Sequence, residues 1–87
     1  MMNVQYYFEK QVALIKTNIF NDNRGSFTEL YNERVLNKLG IKESFVQDNY
    51  SISKKKFTIR GLHFQIGKMS QSKLVRVIRG SIYDVVV

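Results

Sequence analysis

The chain has 87 residues, 44% of them apolar, and carries a net charge of +7 with neither cysteine nor proline. This length bounds it at one domain, residues 1–87, with a modest core and a thin margin of stability. Without cysteine there are no disulfides or thiolate metal sites, as suits a reducing, cytoplasmic setting. No apolar run is long enough to cross a bilayer, and the start lacks the basic-then-apolar order of a secretory leader.

In chain order, residues 11–17 alternate loosely and predict a strand. Asn21-Asp22-Asn23-Arg24-Gly25 is a dense cluster of turn formers, with Gly25 suited to a positive φ. Residues 26–30 resume an extended segment. Asn32 is placed to cap a short helix whose face is Val35, Leu36 and Leu39, and Gly40 is its stop. Residues 44–50 predict the next strand, Lys54-Lys55-Lys56 a loop, and residues 57–66 an extended segment. Residues 67–72 read as a polar loop, 73–79 as a β-branched strand, Gly80-Ser81 as a tight turn and 82–87 as a last strand. Short strands at near-regular spacing with one small helix argue for a mainly β fold, a β-sandwich or barrel. The final apolar strand needs neighbours on both sides. The β domain is therefore expected to be incomplete, its partner strands coming from downstream sequence or from another chain.

Strand periodicity sorts the polar residues. Leu62, Phe64 and Ile66 share one face of their segment; His63 and Gln65 share the other. Gln47 and Asn49 share a face, as do Lys73 and Val75. Three neighbouring strands would then present Gln47, Asn49, His63, Gln65 and Lys73 to one cavity, with Arg60 close by and Gly61 able to bend the strand. One imidazole, two cations and several amides suit an anionic, oxygen-rich ligand. A single histidine makes a poor metal site, and neither a nucleophile elbow nor a phosphate-cradling glycine loop is present. The cations at Lys54, Lys55, Lys56, Arg60, Lys68, Lys73, Arg76 and Arg79 could serve nucleic acid or a small anion. A lysine run is more often a solvated loop, and the stripe of aromatic and basic residues used by single-strand binders is lacking.

Four motifs carry a family resemblance. Asp22-Asn23-Arg24-Gly25-Ser26-Phe27-Thr28-Glu29 fits Asp-x-Arg-Gly-x-Phe-x-Glu, and Phe45-Val46-Gln47-Asp48-Asn49-Tyr50-Ser51-Ile52-Ser53 fits Phe-x-Gln-Asp-Asn-x-Ser-x-Ser. Arg60-Gly61-Leu62-His63-Phe64-Gln65 fits Arg-Gly-Leu-His-[Phe/Tyr]-Gln. Lys73-Leu74-Val75-Arg76, with Gly80 and Asp84-Val85, fits Lys-x-Val-Arg-x-x-x-Gly and Asp-Val. In this order and spacing they resemble the amino-terminal half of the dTDP-4-dehydrorhamnose 3,5-epimerase family.

The resemblance implies a cupin-like jelly roll, here incomplete, working as a homodimer in the complete family protein. It implies an isomerase that inverts carbons 3 and 5 of dTDP-4-dehydro-6-deoxy-glucose on the route to dTDP-rhamnose, with no metal or organic cofactor. Both carbons flank a ketone, so a base can remove their protons and leave an enolate. His63 would be that base, a task for which a neutral imidazole is suited, and Lys73 would stabilise the enolate oxygen. Gln47, Asp48, Asn49 and Arg60 would hold sugar and phosphate oxygens. Arg24, Phe27 and Glu29 would grip the nucleotide, partly across the dimer. Neither nucleic acid nor a membrane is implied as a partner. The family's orienting aspartate and its tyrosine acid belong to its second half, so the chain alone is expected to be inactive. The loop at 67–72 lacks the family's prolines, and Ser72 stands where a glycine is usual. The alternative reading is a related 3- or 5-epimerase of another nucleotide sugar, followed at a distance by a basic nucleic-acid-binding β module.

Overall fold

The computed structural model describes residues 2–63 and 65–86. Its described elements are four strands, one short helix and a single 3-10 turn: β1 (Met2–Tyr7), β2 (Val12–Thr17), β3 (Ile19–Asp22), β4 (Gly25–Thr28), α1 (Glu33–Lys38) and the turn Gly67–Met69. This is the expected mainly β class with one helix, consistent with an incomplete β-sandwich. The chain divides into two compact units, Met1–Ser44 and Phe45–Val87.

In the first unit β1 and β2 pair antiparallel, from Met2 opposite Thr17 to Tyr7 opposite Val12. Alternation puts Met2, Val4 and Tyr6 on one face with Ala13, Ile15 and Thr17. That face is buried or half-buried, whereas Asn3, Gln5, Leu14 and Lys16 are exposed. Strand β1 adds to the expected elements, and the alternation of Met2, Val4 and Tyr6 is the sequence signal that marks it. The connecting loop holds Phe8, Glu9 and Lys10 at φ of 53°, 54° and 67°, an unusual run of left-handed non-glycine residues. It is closed by the Gln11 N–H on the Phe8 carbonyl at 3.1 Å.

Strands β3 and β4 pair from Ile19 opposite Thr28 to Asp22 opposite Gly25, leaving a two-residue turn, Asn23-Arg24. Gly25, at φ 141°, takes the positive value its sequence context predicts. The Thr28 hydroxyl donates to the Asn18 carbonyl at 2.6 Å and lies 3.1 Å from the Thr17 hydroxyl, tying this hairpin to the end of β2.

Helix α1 forms where its local signals place it. Asn32 is the N-cap: its Oδ1 accepts the Val35 N–H at 3.1 Å. Glu33 in the first turn and Lys38 in the last complement the helix dipole. Leu36 is buried at 2% exposure, with Val35 and Leu39 half-buried beside it. Burying that leucine contributes about 2 kcal/mol. The helix ends in a Schellman motif, with the Ile41 N–H on the Leu36 carbonyl at 2.9 Å and the Gly40 N–H on the Asn37 carbonyl at 3.2 Å. Gly40 supplies the positive φ, 100°. The Tyr6 hydroxyl of β1 donates to the Leu39 carbonyl, and Lys42 Nζ donates to the Asn37 carbonyl at 2.6 Å. Met2 and Leu36 are the buried hydrophobic residues of this small core among the described residues.

The second unit corrects part of the sequence reading. The described residues of 44–50, 57–66, 73–79 and 82–87, all expected as strands or extended segments, form no β ladder. The parts of those expectations that fall on Phe64 and Val87 lie outside the described residues. The physical reason is that a strand exists through its neighbour. The hairpins of the first unit need short closures only, whereas these segments call for partners distant in sequence. Unpaired, they leave Val46, Ile59 and Tyr83 about nine-tenths exposed.

Candidate functional site

In the first unit, the turn of the β3–β4 hairpin fixes Arg24. The Asp22 carboxylate accepts the Arg24 backbone N–H at 2.8 Å, its Nε–H at 3.1 Å and its Nη2–H at 2.6 Å. The guanidinium beside Asp22, and then the Arg24 backbone N–H, hold that carboxyl below its ordinary value of 3.8. Both side chains are solvent-facing, so the pair organises the turn more than it stabilises the fold. Phe27 lies opposite Phe20 in the ladder and is 72% exposed. Its ring is therefore open to a ligand and is not core. Glu29 follows β4, where its carboxylate accepts Asn32 Nδ2–H at 3.2 Å. The helix cap and this acidic residue thus share one asparagine.

In the second unit Gln47 Nε2 donates to Asn49 Oδ1 at 3.3 Å. These two side chains meet on one side of the segment, as alternation anticipates, and Asp48 between them is exposed. Arg60 reaches back along the chain, donating from Nε to Ser53 Oγ at 3.2 Å and from Nη2 to the Ile52 carbonyl at 3.3 Å. Gly61 follows at φ 97°, and a Cβ there would lie 3.1 Å from His63 Nδ1. The backbone bends at this glycine and turns close to the imidazole. His63, Gln65 and Lys73 are exposed, and neither His63 nor Lys73 makes a hydrogen bond among the described residues.

The second unit therefore brings together Gln47 with Asn49, and Arg60 with the segment 52–53. The single cavity expected from Gln47, Asn49, His63, Gln65 and Lys73 is not formed among the described residues. It required a shared sheet face, and the ladder that would create one is lacking. Two surface depressions in the first unit, one along Asn32–Lys42 and one along Asn3, Gln5, Leu14 and Lys16, contain none of the candidate site residues. No group of three potential metal-ligating side chains lies together among the described residues. The partners Ser53, Asn32 and Asp22 were not singled out as site residues. Ser53 and Asp22 sit inside the motifs, and a polar residue near a site arginine is the signal that marks them.

Comparison with known proteins adds a second line. Residues 9–87 match the family model described as dTDP-4-dehydrorhamnose 3,5-epimerase. The chain is 48% identical over 77 residues to the Salmonella typhimurium protein of that name, covering 87% of this chain and 42% of the relative. To the Escherichia coli protein it is 44% identical over 87 residues, covering 99% of this chain and 46% of that one. A Methanothermobacter thermautotrophicus protein of the same name is 49% identical over 74 residues, covering 85% and 39%. The chain thus spans less than half the length of these relatives. No solved structure matches it.

Proposed function

The chain belongs to the dTDP-4-dehydrorhamnose 3,5-epimerase family, and from that premise we propose that it carries the proton-abstracting and ligand-gripping part of such an epimerase. The substrate is dTDP-4-dehydro-6-deoxy-glucose, and the enzyme acts as a homodimer. The observation that carries the reading is the set of four motifs, in family order, within a stretch that is 48% identical to a named relative.

His63 takes the proton from a carbon beside the ketone. The electron pair moves to the carbonyl oxygen, and the Lys73 ammonium offsets the negative charge that develops there. Arg60, Gln47, Asp48 and Asn49 hold sugar and phosphate oxygens; the facing amides of Gln47 and Asn49 and the open edge of Arg60 support this part. Arg24, Phe27 and Glu29 grip the nucleotide. The exposed Phe27 ring is available for stacking on a base, and the guanidinium of Arg24 sits at the tip of its hairpin. The family assigns the acid that returns the proton, and the aspartate that orients the histidine, to a region these 87 residues do not cover.

The test is deuterium wash-in at carbons 3 and 5 of the substrate in heavy water. It compares the 87-residue chain with a fusion carrying the remaining segment of the Escherichia coli relative. The fusion is expected to exchange both positions, and His63→Asn to slow it by about a hundredfold or more. A folded fusion that binds dTDP without exchange at either carbon would overturn the proposal. Exchange at one carbon alone would replace it with a single-site epimerase. Rapid exchange by the 87-residue chain would show that it needs no further segment.

A further inference from the structure

Arg60 is the one proposed ligand-binding residue of the second unit whose side chain is tied to another segment of that unit among the described residues. Its five N–H groups lie in one plane. Among the described residues two of them are used, Nε–H on Ser53 Oγ at 3.2 Å and one Nη2–H on the Ile52 carbonyl at 3.3 Å. Both acceptors lie on the same side of the guanidinium, so the plane is held along one edge and three N–H groups remain on the rest of it. The bonds span seven and eight residues along the chain, closing the neck of the loop that bears Lys54, Lys55 and Lys56. At the far side of that loop, Thr58 Oγ1 donates to the Lys55 carbonyl at 2.7 Å.

We propose that Ser53, together with the Ile52 carbonyl, is a positioning residue for Arg60: it fixes the guanidinium plane so that the free edge meets the anionic oxygens of the ligand. This rests on the reading of Arg60 as a phosphate- or sugar-binding residue and goes beyond it, because Ser53 touches the arginine and not the ligand. A rotating arginine side chain loses freedom on binding, and one already held in plane loses less. The serine contributes through its oxygen alone, as an acceptor. The substitution Ser53→Thr keeps that oxygen, and Ser53→Ala removes it. Replacement of Arg60 by lysine would keep the charge and lose the planar two-acceptor tie.

Two measurements on the 87-residue chain test this. The first is the Arg60 Nε–H signal in a nitrogen-proton spectrum. In the parent chain it is expected to exchange slowly enough to be seen near neutral pH. Ser53→Ala is expected to shift and broaden it, and Ser53→Thr to restore it. The second is titration with dTDP. Ser53→Ala is expected to weaken binding about three- to tenfold, within the net range of one ordinary intramolecular hydrogen bond. Ser53→Thr is expected to stay within about twofold of the parent on the same scale. An Nε–H signal unchanged by Ser53→Ala would overturn the proposal, as would weakened binding that Ser53→Thr fails to rescue. If the parent chain binds no dTDP, the reading of Arg60 fails and the ligand part of the proposal falls with it. The Nε–H signal still judges the Ser53–Arg60 link on its own.

Discussion

Gly40 shows how much one position can carry. It sits at φ 100°, where an L side chain is strained, and a Cβ there would come 2.7 Å from the Tyr6 hydroxyl. That hydroxyl is committed to the Leu39 carbonyl, so it cannot step aside without losing its bond. Gly40→Ala is expected to destabilise the first unit by about 2 kcal/mol or more, read as a lower denaturation midpoint. The cost should shrink in a Tyr6→Phe background, because the colliding oxygen is gone; a cost that simply adds would show that strain at φ alone is responsible. Asp22 gives a second test at this scale. Its carboxyl is held below 3.8 by the Arg24 guanidinium first and the Arg24 and Gly25 backbone N–H groups after it. A depressed folded value means that the contribution is complete above the unfolded value. It is lost as the pH falls through the lower folded one. The β3–β4 turn is therefore expected to keep its Gly25 amide shift at pH 3.8 and to lose it only as the pH falls through the lower folded value. Arg24→Ala should move that transition upward towards 3.8.

At the scale of elements, local signals translated into structure and non-local ones did not. The helix was legible because everything that makes it lies within ten residues: the Asn32 cap, the Val35–Leu36–Leu39 face and the Gly40 stop. The turn at Asn23-Arg24 was legible for the same reason. The face shared by Gln47 and Asn49 followed from period-two alternation and appears as a side-chain bond. The predicted strands at 44–50 and 73–79 needed partners that periodicity does not specify, and the site cavity depended on them. The role of Asn32 goes further than the sequence suggested. Its Oδ1 caps Val35 while its Nδ2 reaches Glu29. Asn32→Ala is expected to cost about 1 kcal/mol of stability and to release Glu29. Asn32→Asp should keep the cap but repel the Glu29 carboxylate. A circular-dichroism melt together with the Glu29 side-chain shift separates the two effects: if Asp leaves that shift where Asn held it, the link between cap and carboxylate is refuted.

Across the whole molecule, charge and hydrogen bonding divide along the chain in the same place. Residues 1–44 carry six cations against five acids, and residues 45–87 carry eight cations against two, so nearly all of the net charge of +7 lies in the second stretch. The first stretch holds both hairpins and the helix, whereas in the second the described backbone bond outside side-chain contacts is the Ser70 N–H on the Gly67 carbonyl at 3.2 Å. Amide exchange reports the free energy of opening each bond. The amides of β1, β2 and α1 are therefore expected to be protected, and those of residues 45–63 and 65–86, Ser70 apart, to exchange close to the unprotected rate. Like charges add to this contrast by repelling one another in the second stretch. A polyvalent anion that binds several cations at once should lower that repulsion more than chloride at equal ionic strength. Pyrophosphate is thus expected to slow exchange around Arg60 and Lys73 while leaving β1 and β2 unchanged. Slowing of equal size in both stretches would point to a general salt effect. Protection at residues 45–63 and 65–86 equal to that of the hairpins, before any anion is added, would refute the division itself.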